Sequence, residues 1–251
     1  MFTNPETLEA LDTEKHKDLR FTQASDFRFA AGLASAPLSA SEVVEAARHY
    51  PVVFSTDGPL LPLALLSLKK GANAFVGPEG KWLAPYVPAH VRRYPFILGN
   101  TEDPETFAIM IDREAPHFAD AGGELLYGED GARGPALEAA TALLKAFQEE
   151  ITATVKLLEP LAGVLTMQRL DITGGDGAKA SIDGLRAVDR EKMAALDDAT
   201  LAAWVRGGLM ALIDAHLASL GNMRALAERQ GVGTKSVRRA PPLAVFPTPA
   251  I

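Results

Sequence analysis

Up to about residue 133 the apolar positions follow short, mixed periods; beyond it they mostly follow long helical ones. In "SASEVVEAARHY" the residues Val43, Val44, Ala46 and Ala47 form an apolar helical face, with Ser39 or Ser41 as cap and Glu42 in the first turn. Tyr50-Pro51 ends that helix, because the residue before a proline is pushed out of helical geometry. "PVVFS" is β-branched and aromatic and predicts a buried strand. "LPLALLSLKKG" predicts a short buried helix closed by Gly71, with Lys69 and Lys70 in its last turn. "NAFVGPEGKWLAPYV" predicts a hairpin turning at Gly77-Pro78-Glu79-Gly80. Further strands are expected at 107–112 and 124–127.

The second half opens with Leu137, Leu143, Leu144, Phe147, Ile151, Val155 and Leu158 at helical spacing, and Pro135 suits the first turn of a helix over 135–158. Val164, Thr166, Gln168 and Leu170 then alternate as in a strand. A Gly-Gly-Asp-Gly turn and a second strand through Ile182, Leu185 and Val188 follow. Two helical pieces come next, and a last one carries Leu209, Leu212, Ile213, His216, Leu217, Leu220, Met223 and Leu226 at three- and four-residue steps. Together these elements predict an α+β fold: a mainly antiparallel sheet, short helices on one face, and a closing C-terminal helical hairpin. Residues 1–231 are expected to form a single domain, with 1–133 and 134–231 as its sub-units. Residues 232–251 read as an extended, proline-rich, basic tail with Lys235, Arg238, Arg239, four prolines and no acid.

Composition narrows the function classes. With 251 residues, 47% hydrophobic and 23% charged, the chain has the balance of a soluble globular protein with a substantial core. A net charge of −7 argues against nucleic acid as a partner. The absence of cysteine excludes disulfides, thiolate zinc sites and cysteine nucleophiles. The most apolar window, "GPLLPLALLSLKKG", falls short of the ~20 apolar residues that span a bilayer. The N-terminus lacks a basic start followed by an apolar run, so a cytoplasmic location is expected.

Candidate chemistry is densest in "KWLAPYVPAHVRRYPFILGN". There Arg92 and Arg93 could clamp a carboxylate or phosphate, while Trp82, Tyr86 and Tyr94 offer stacking faces beside His90. A structural reading stands beside it, in which one arginine pairs with Glu79 or Asp112 and the aromatics fill a core. His216 continues an apolar stripe and reads as a core histidine bonded to backbone or water. The five histidines are scattered, so no metal is expected. "TGGDGAKAS" lacks the spacing of a phosphate loop, no dinucleotide fingerprint occurs, and no cofactor is expected. Asp197-Asp198 and Glu149-Glu150 read as solvated charge. In the tail, Leu243, Val245, Phe246 and Ile251 favour docking on a partner or on a second copy, a route to a homo-oligomer.

The order "HYPVVF", "PLALLSLKKGANAFVGPEGKWLAPYVPAHVRRYPFIL", "GGELLYGEDG" and "SIDGLRAVDREKMAALDDATLAAWVRGGLMALIDAHLASLGNMRALAERQ" resembles the bacterial SapC-like family over roughly residues 25–230. That family is named after a surface-layer component and carries no established reaction. The resemblance implies a soluble protein with an accessory role in small-molecule uptake or modification. The expected function is a non-catalytic protein that binds a partner protein or a small anionic ligand through residues 82–94. An enzyme whose active site is assembled only in three dimensions, and a surface-layer structural component, are the alternatives.

Overall fold

The computed structural model describes residues 5–23, 25–100, 107–119, 122–174 and 179–233. In chain order the elements are β1 (Leu8–Ala10), β2 (Arg20–Phe21), β3 (Ser35–Pro37), α1 (Val43–Ala46), β4 (Val52–Phe54), β5 (Pro62–Leu65), α2 (Ala89–Arg92), β6 (Phe96–Asn100), β7 (Phe107–Asp112), β8 (Phe118–Ala119), β9 (Glu124–Leu125), α3 (Pro135–Leu158), β10 (Leu165–Gly174), β11 (Lys179–Val188), α4 (Arg190–Ala194), α5 (Asp198–Arg206), α6 (Leu209–Ser219), α7 (Asn222–Arg229) and β12 (Val232–Gly233). This is the expected α+β class with antiparallel pairing. The strands fall into three sheets: β12-β10-β11-β4-β5-β3, β1-β7-β6 and β8-β2-β9. The Gly-Gly-Asp-Gly turn and the tail beyond Gly233 lie largely outside the described residues.

Two apolar cores result. The first gathers Leu38, Val43, Tyr50, Val52, Phe54, Leu66, Ile213 and Leu226 beneath the six-stranded sheet. The second gathers Leu19, Phe96, Ile111, Leu126, Leu137 and Leu144 against the sheet of β6 and β7. α3 serves both, giving Leu137 and Leu144 to the second core and Leu158 to the first. Pro135 stands in its first turn, where a missing N–H costs nothing.

The helix expected over 61–71 is instead β5, paired with β4 through Val53↔Leu63 and with β3 through Ala36↔Ala64. A short apolar run does not distinguish a buried strand from a helix, and neighbours on both sides decide it. Pro62 is its first residue, a place where proline is tolerated in a sheet. The last helical stretch is also divided, into α6 and α7 around Gly221. α5 and α6 meet at 87°, and no single described helix is long and apolar enough to cross a membrane.

His216 shows how the helices lock onto the sheet. Fully buried, it places Nδ1 2.7 Å from Val52 O on β4, and its Nε2 accepts from Val188 N on β11 at 3.2 Å. That pattern requires the neutral ring with its proton on Nδ1. Burial lowers its pKa to about 4, outweighing the favourable Val52 carbonyl.

Candidate functional site

Ser39 caps the turn that leads into α1, and Glu42, three residues on, accepts from Ser39 N at 3.0 Å. This Ser-x-x-Glu pairing fixes the carboxylate at the buried end of the helix. Its Oε2 also accepts from Ser39 Oγ at 3.3 Å. Its Oε1 accepts from Tyr86 OH at 2.5 Å and from Ala89 N, at the start of α2, at 2.7 Å. Val43 and Ala46 face the core as expected, while Val44 is turned to solvent.

The aromatic segment arrives through the expected hairpin. Gly77 N donates to Lys81 O at 2.9 Å, and Val76 bridges Trp82. Gly80 turns it at φ 78°, where a Cβ would collide with the Asp26 carboxylate. Trp82 Nε1 donates to Tyr50 OH at 2.8 Å and to Tyr86 O at 3.1 Å, and its ring meets Phe27 edge-on at 5.5 Å. Tyr50 is fully buried and donates to Tyr86 O. Tyr94 stacks on Phe29 at 3.9 Å and donates to buried Asp112 at 2.8 Å; the Tyr94–Pro95 peptide bond is cis.

The two arginines occupy different surroundings. Arg92 is exposed and its Nε donates to Val87 O at 3.0 Å. Arg93 lies over the Phe147 ring at 5.2 Å, its buried Nε has no acceptor among the described residues, and burial lowers its pKa. Neither pairs with the acids expected for them: Glu79 holds Lys81 at 2.8 Å, and Asp112 takes the Tyr94 hydroxyl. His90 lies 6.2 Å from the Phe147 ring, and burial, then Arg93, push its pKa down to about 3.

Between the α1 region, α2 and α3 runs a groove of about 260 Å³. Tyr86 and Arg92 are the two expected site residues that line it. Its other polar groups are Ser41, Glu42, Glu45 and Glu150, and Leu143, Ala146 and Phe147 form its apolar wall. Glu150 accepts from Ser41 Oγ at 2.5 Å; bonds from Ser39 and Ser41 hold its pKa down against burial, and Arg92 adds to the effect. Glu150 is exposed, as a solvated charge should be, and is also tied to the groove wall through Ser41. Burial, then Glu42, raises the pKa of the Tyr86 hydroxyl, so it stays a donor. Three carboxylates and one guanidinium thus line the groove, a balance that favours a cationic occupant. Among the described residues no three such side chains, the groove carboxylates included, are placed to hold a metal ion.

The chain matches the SapC family model over residues 11–226. No curated protein and no solved structure matches it.

Proposed function

The chain belongs to the SapC family, and we propose that it acts as a non-catalytic, accessory binding protein whose groove takes a basic side chain of a partner protein. The observation that carries this reading is the excess of carboxylates, Glu42, Glu45 and Glu150, over the single Arg92 in a groove with one apolar wall. A lysine or arginine stem packs on Leu143, Ala146 and Phe147 while its charged head meets Glu45 and Glu150. An anionic ligand at the same place meets carboxylates on most sides, and Arg93, turned over Phe147, gives Arg92 no visible help.

The test is native mass spectrometry on protein gently purified from its own cells, with two variants. Glu45→Lys reverses a half-exposed charge at the groove rim and removes only local contacts, to Arg48 and His49 in the turn that follows α1. It is expected to release the retained partner, while Arg92→Ala keeps it. Loss with Arg92→Ala and retention with Glu45→Lys would reverse the sign of the ligand. A bare monomer from wild-type cells would remove the binding reading.

A further inference from the structure

Arg92 is an awkward neighbour for a bound cation. Its Nε donates to Val87 O at 3.0 Å, its one hydrogen bond in good geometry among the described residues, and no ion pair ties it to a carboxylate there. Its charge still reaches Glu150 and the Tyr86 hydroxyl, both of which line the groove with it. The head of a lysine or arginine brought to this groove adds a second positive charge beside it, and like charges so placed cost affinity. With Nε anchored, the two terminal nitrogens form a fork of the shape that receives a carboxylate.

The three groove carboxylates are not equivalent. Glu42 already accepts from Ser39 N, Ser39 Oγ, Tyr86 OH and Ala89 N, so it has little left to offer an occupant. Glu150 accepts from Ser41 Oγ alone. Glu45 holds Arg48 at 2.6 Å and His49 at 3.5 Å, surface pairs that an incoming cation replaces at little cost. The groove thus has a place for a cation at Glu45 and Glu150 and a place for a carboxylate at Arg92. At about 260 Å³ it lies below the range of pockets for drug-sized ligands, so one residue must supply both charges.

Given the cationic reading of the groove, on which this step rests, we infer that the basic residue it takes is the partner's C-terminal one. The side-chain head of a terminal lysine or arginine meets Glu45 and Glu150, its stem packs on Phe147, and its α-carboxylate meets the Arg92 fork. An internal basic residue has no carboxylate of its own and leaves Arg92 facing a like charge. A free amino acid brings the carboxylate but sets an α-ammonium next to it, and so next to Arg92; in a chain terminus that nitrogen is a neutral amide.

The test is a titration of the full chain, wild type and Arg92→Ala, with Nα-acetyl-arginine, its C-terminal amide, Nα-acetyl-citrulline and free L-arginine, followed by NMR chemical shifts. The amide lacks the carboxylate and the citrulline lacks the cation. Wild type is expected to bind acetyl-arginine about tenfold or more tightly than either. In Arg92→Ala the acid and the amide are expected to bind alike, which closes a cycle that a merely structural arginine would not close. The loss is partial, so a whole partner with its contacts to Glu45 and Glu150 stays on Arg92→Ala. Equal affinity of wild type for acid and amide, or a preference that survives in Arg92→Ala, would overturn the terminal carboxylate and leave the basic-side-chain reading in place. Acetyl-citrulline bound as tightly as acetyl-arginine would overturn both. Free L-arginine bound more tightly than acetyl-arginine would overturn the chain terminus and assign the groove to a free amino acid. No binding of any probe would also overturn the inference, and the native mass spectrum would then decide the broader reading by itself.

Discussion

Replacing Glu42 by glutamine tests the role assigned to its carboxylate with almost no change of volume. The side chain is 7% exposed and accepts from four donors: Ser39 N, Ser39 Oγ, Tyr86 OH and Ala89 N. Glutamine supplies one accepting oxygen and one donating NH2. The hydroxyl beside the NH2 can turn to accept from it, but a backbone N–H cannot. If the NH2 faces Ser39, the Ser39 N–H is orphaned; if it faces Tyr86, the Ala89 N–H is. One buried N–H without an acceptor costs about 1–3 kcal/mol. In a chain of this size each kcal/mol moves the midpoint by roughly 2–4 °C, so Glu42→Gln should lower Tm by about 2–12 °C. Glu42→Ala strands both N–H groups and the phenol and should cost at least twice as much as the glutamine. Urea unfolding followed by circular dichroism measures both, with m unchanged if the folded states match in compactness. A glutamine variant within about 0.5 kcal/mol of wild type would refute the account, because it would mean these donors have solvent to turn to.

The histidines predict acid sensitivity. His216, at about 4, and His90, at about 3, bind protons less readily in the folded chain than in the unfolded one, where the ordinary value is 6.5. Their contribution is therefore full above pH 6.5 and is lost as pH falls toward 4 and 3, by about 3 kcal/mol for His216. His216→Gln should lower Tm at pH 7 and flatten its decline down to pH 4.5; an unchanged slope would contradict this. Arg93→Met removes a partly buried cation with no acid partner among the described residues, so stability should stay within about 1 kcal/mol of wild type or rise. The same change should raise the titration midpoint of His90, followed by NMR, because Arg93 opposes its protonation. Tyr50→Phe takes an acceptor from Trp82 but leaves it the Tyr86 carbonyl, so the loss should be about 1 kcal/mol with a shift in Trp82 fluorescence.

Much of the fold was legible where local rules suffice. α3 begins at its proline and runs to Leu158 as its period predicts, and Ser39 with Glu42 forms the anticipated cap. β5 was not legible, because its identity depends on β3 and β4 at either side. Nor was the division of α6 from α7, where Asn222 Nδ2 bonds Ala47 O at 2.7 Å and Tyr50 O at 3.2 Å. Of the six expected site residues only two line the groove. Tyr86 and Arg92 do line a groove, but Glu42 and Glu150 come to them from distant parts of the chain, and no spacing announces such a meeting. The nearest signal was the Ser-x-x-Glu cap itself, which fixes Glu42 on the turn but not what its second oxygen receives.

The density of residues 82–96 follows from where they run. Trp82, Tyr86 and Val91 pack with the first core, and Phe96 belongs to the second. A segment passing between two cores must be apolar on its sides, yet it carries backbone polar groups through places water does not reach. Tryptophan and tyrosine meet both demands, each bringing a broad ring and one polar tip. Each tip is met by a group distant in sequence or by the segment itself: Trp82 by Tyr50 and the Tyr86 carbonyl, Tyr86 by Glu42, Tyr94 by Asp112. Tyr94 also stacks on Phe29, which packs against the first core, while Asp112 ends the strand beside the second. The rings thus hold the two cores together, which leaves Arg92 as the charged residue of this segment that reaches the groove. The groove lies along the same seam, walled by α3, which itself feeds both cores. An occupant held by Glu45 on one side and Phe147 on the other would therefore grip elements of both, and its binding should stabilise the whole chain against unfolding rather than one part of it.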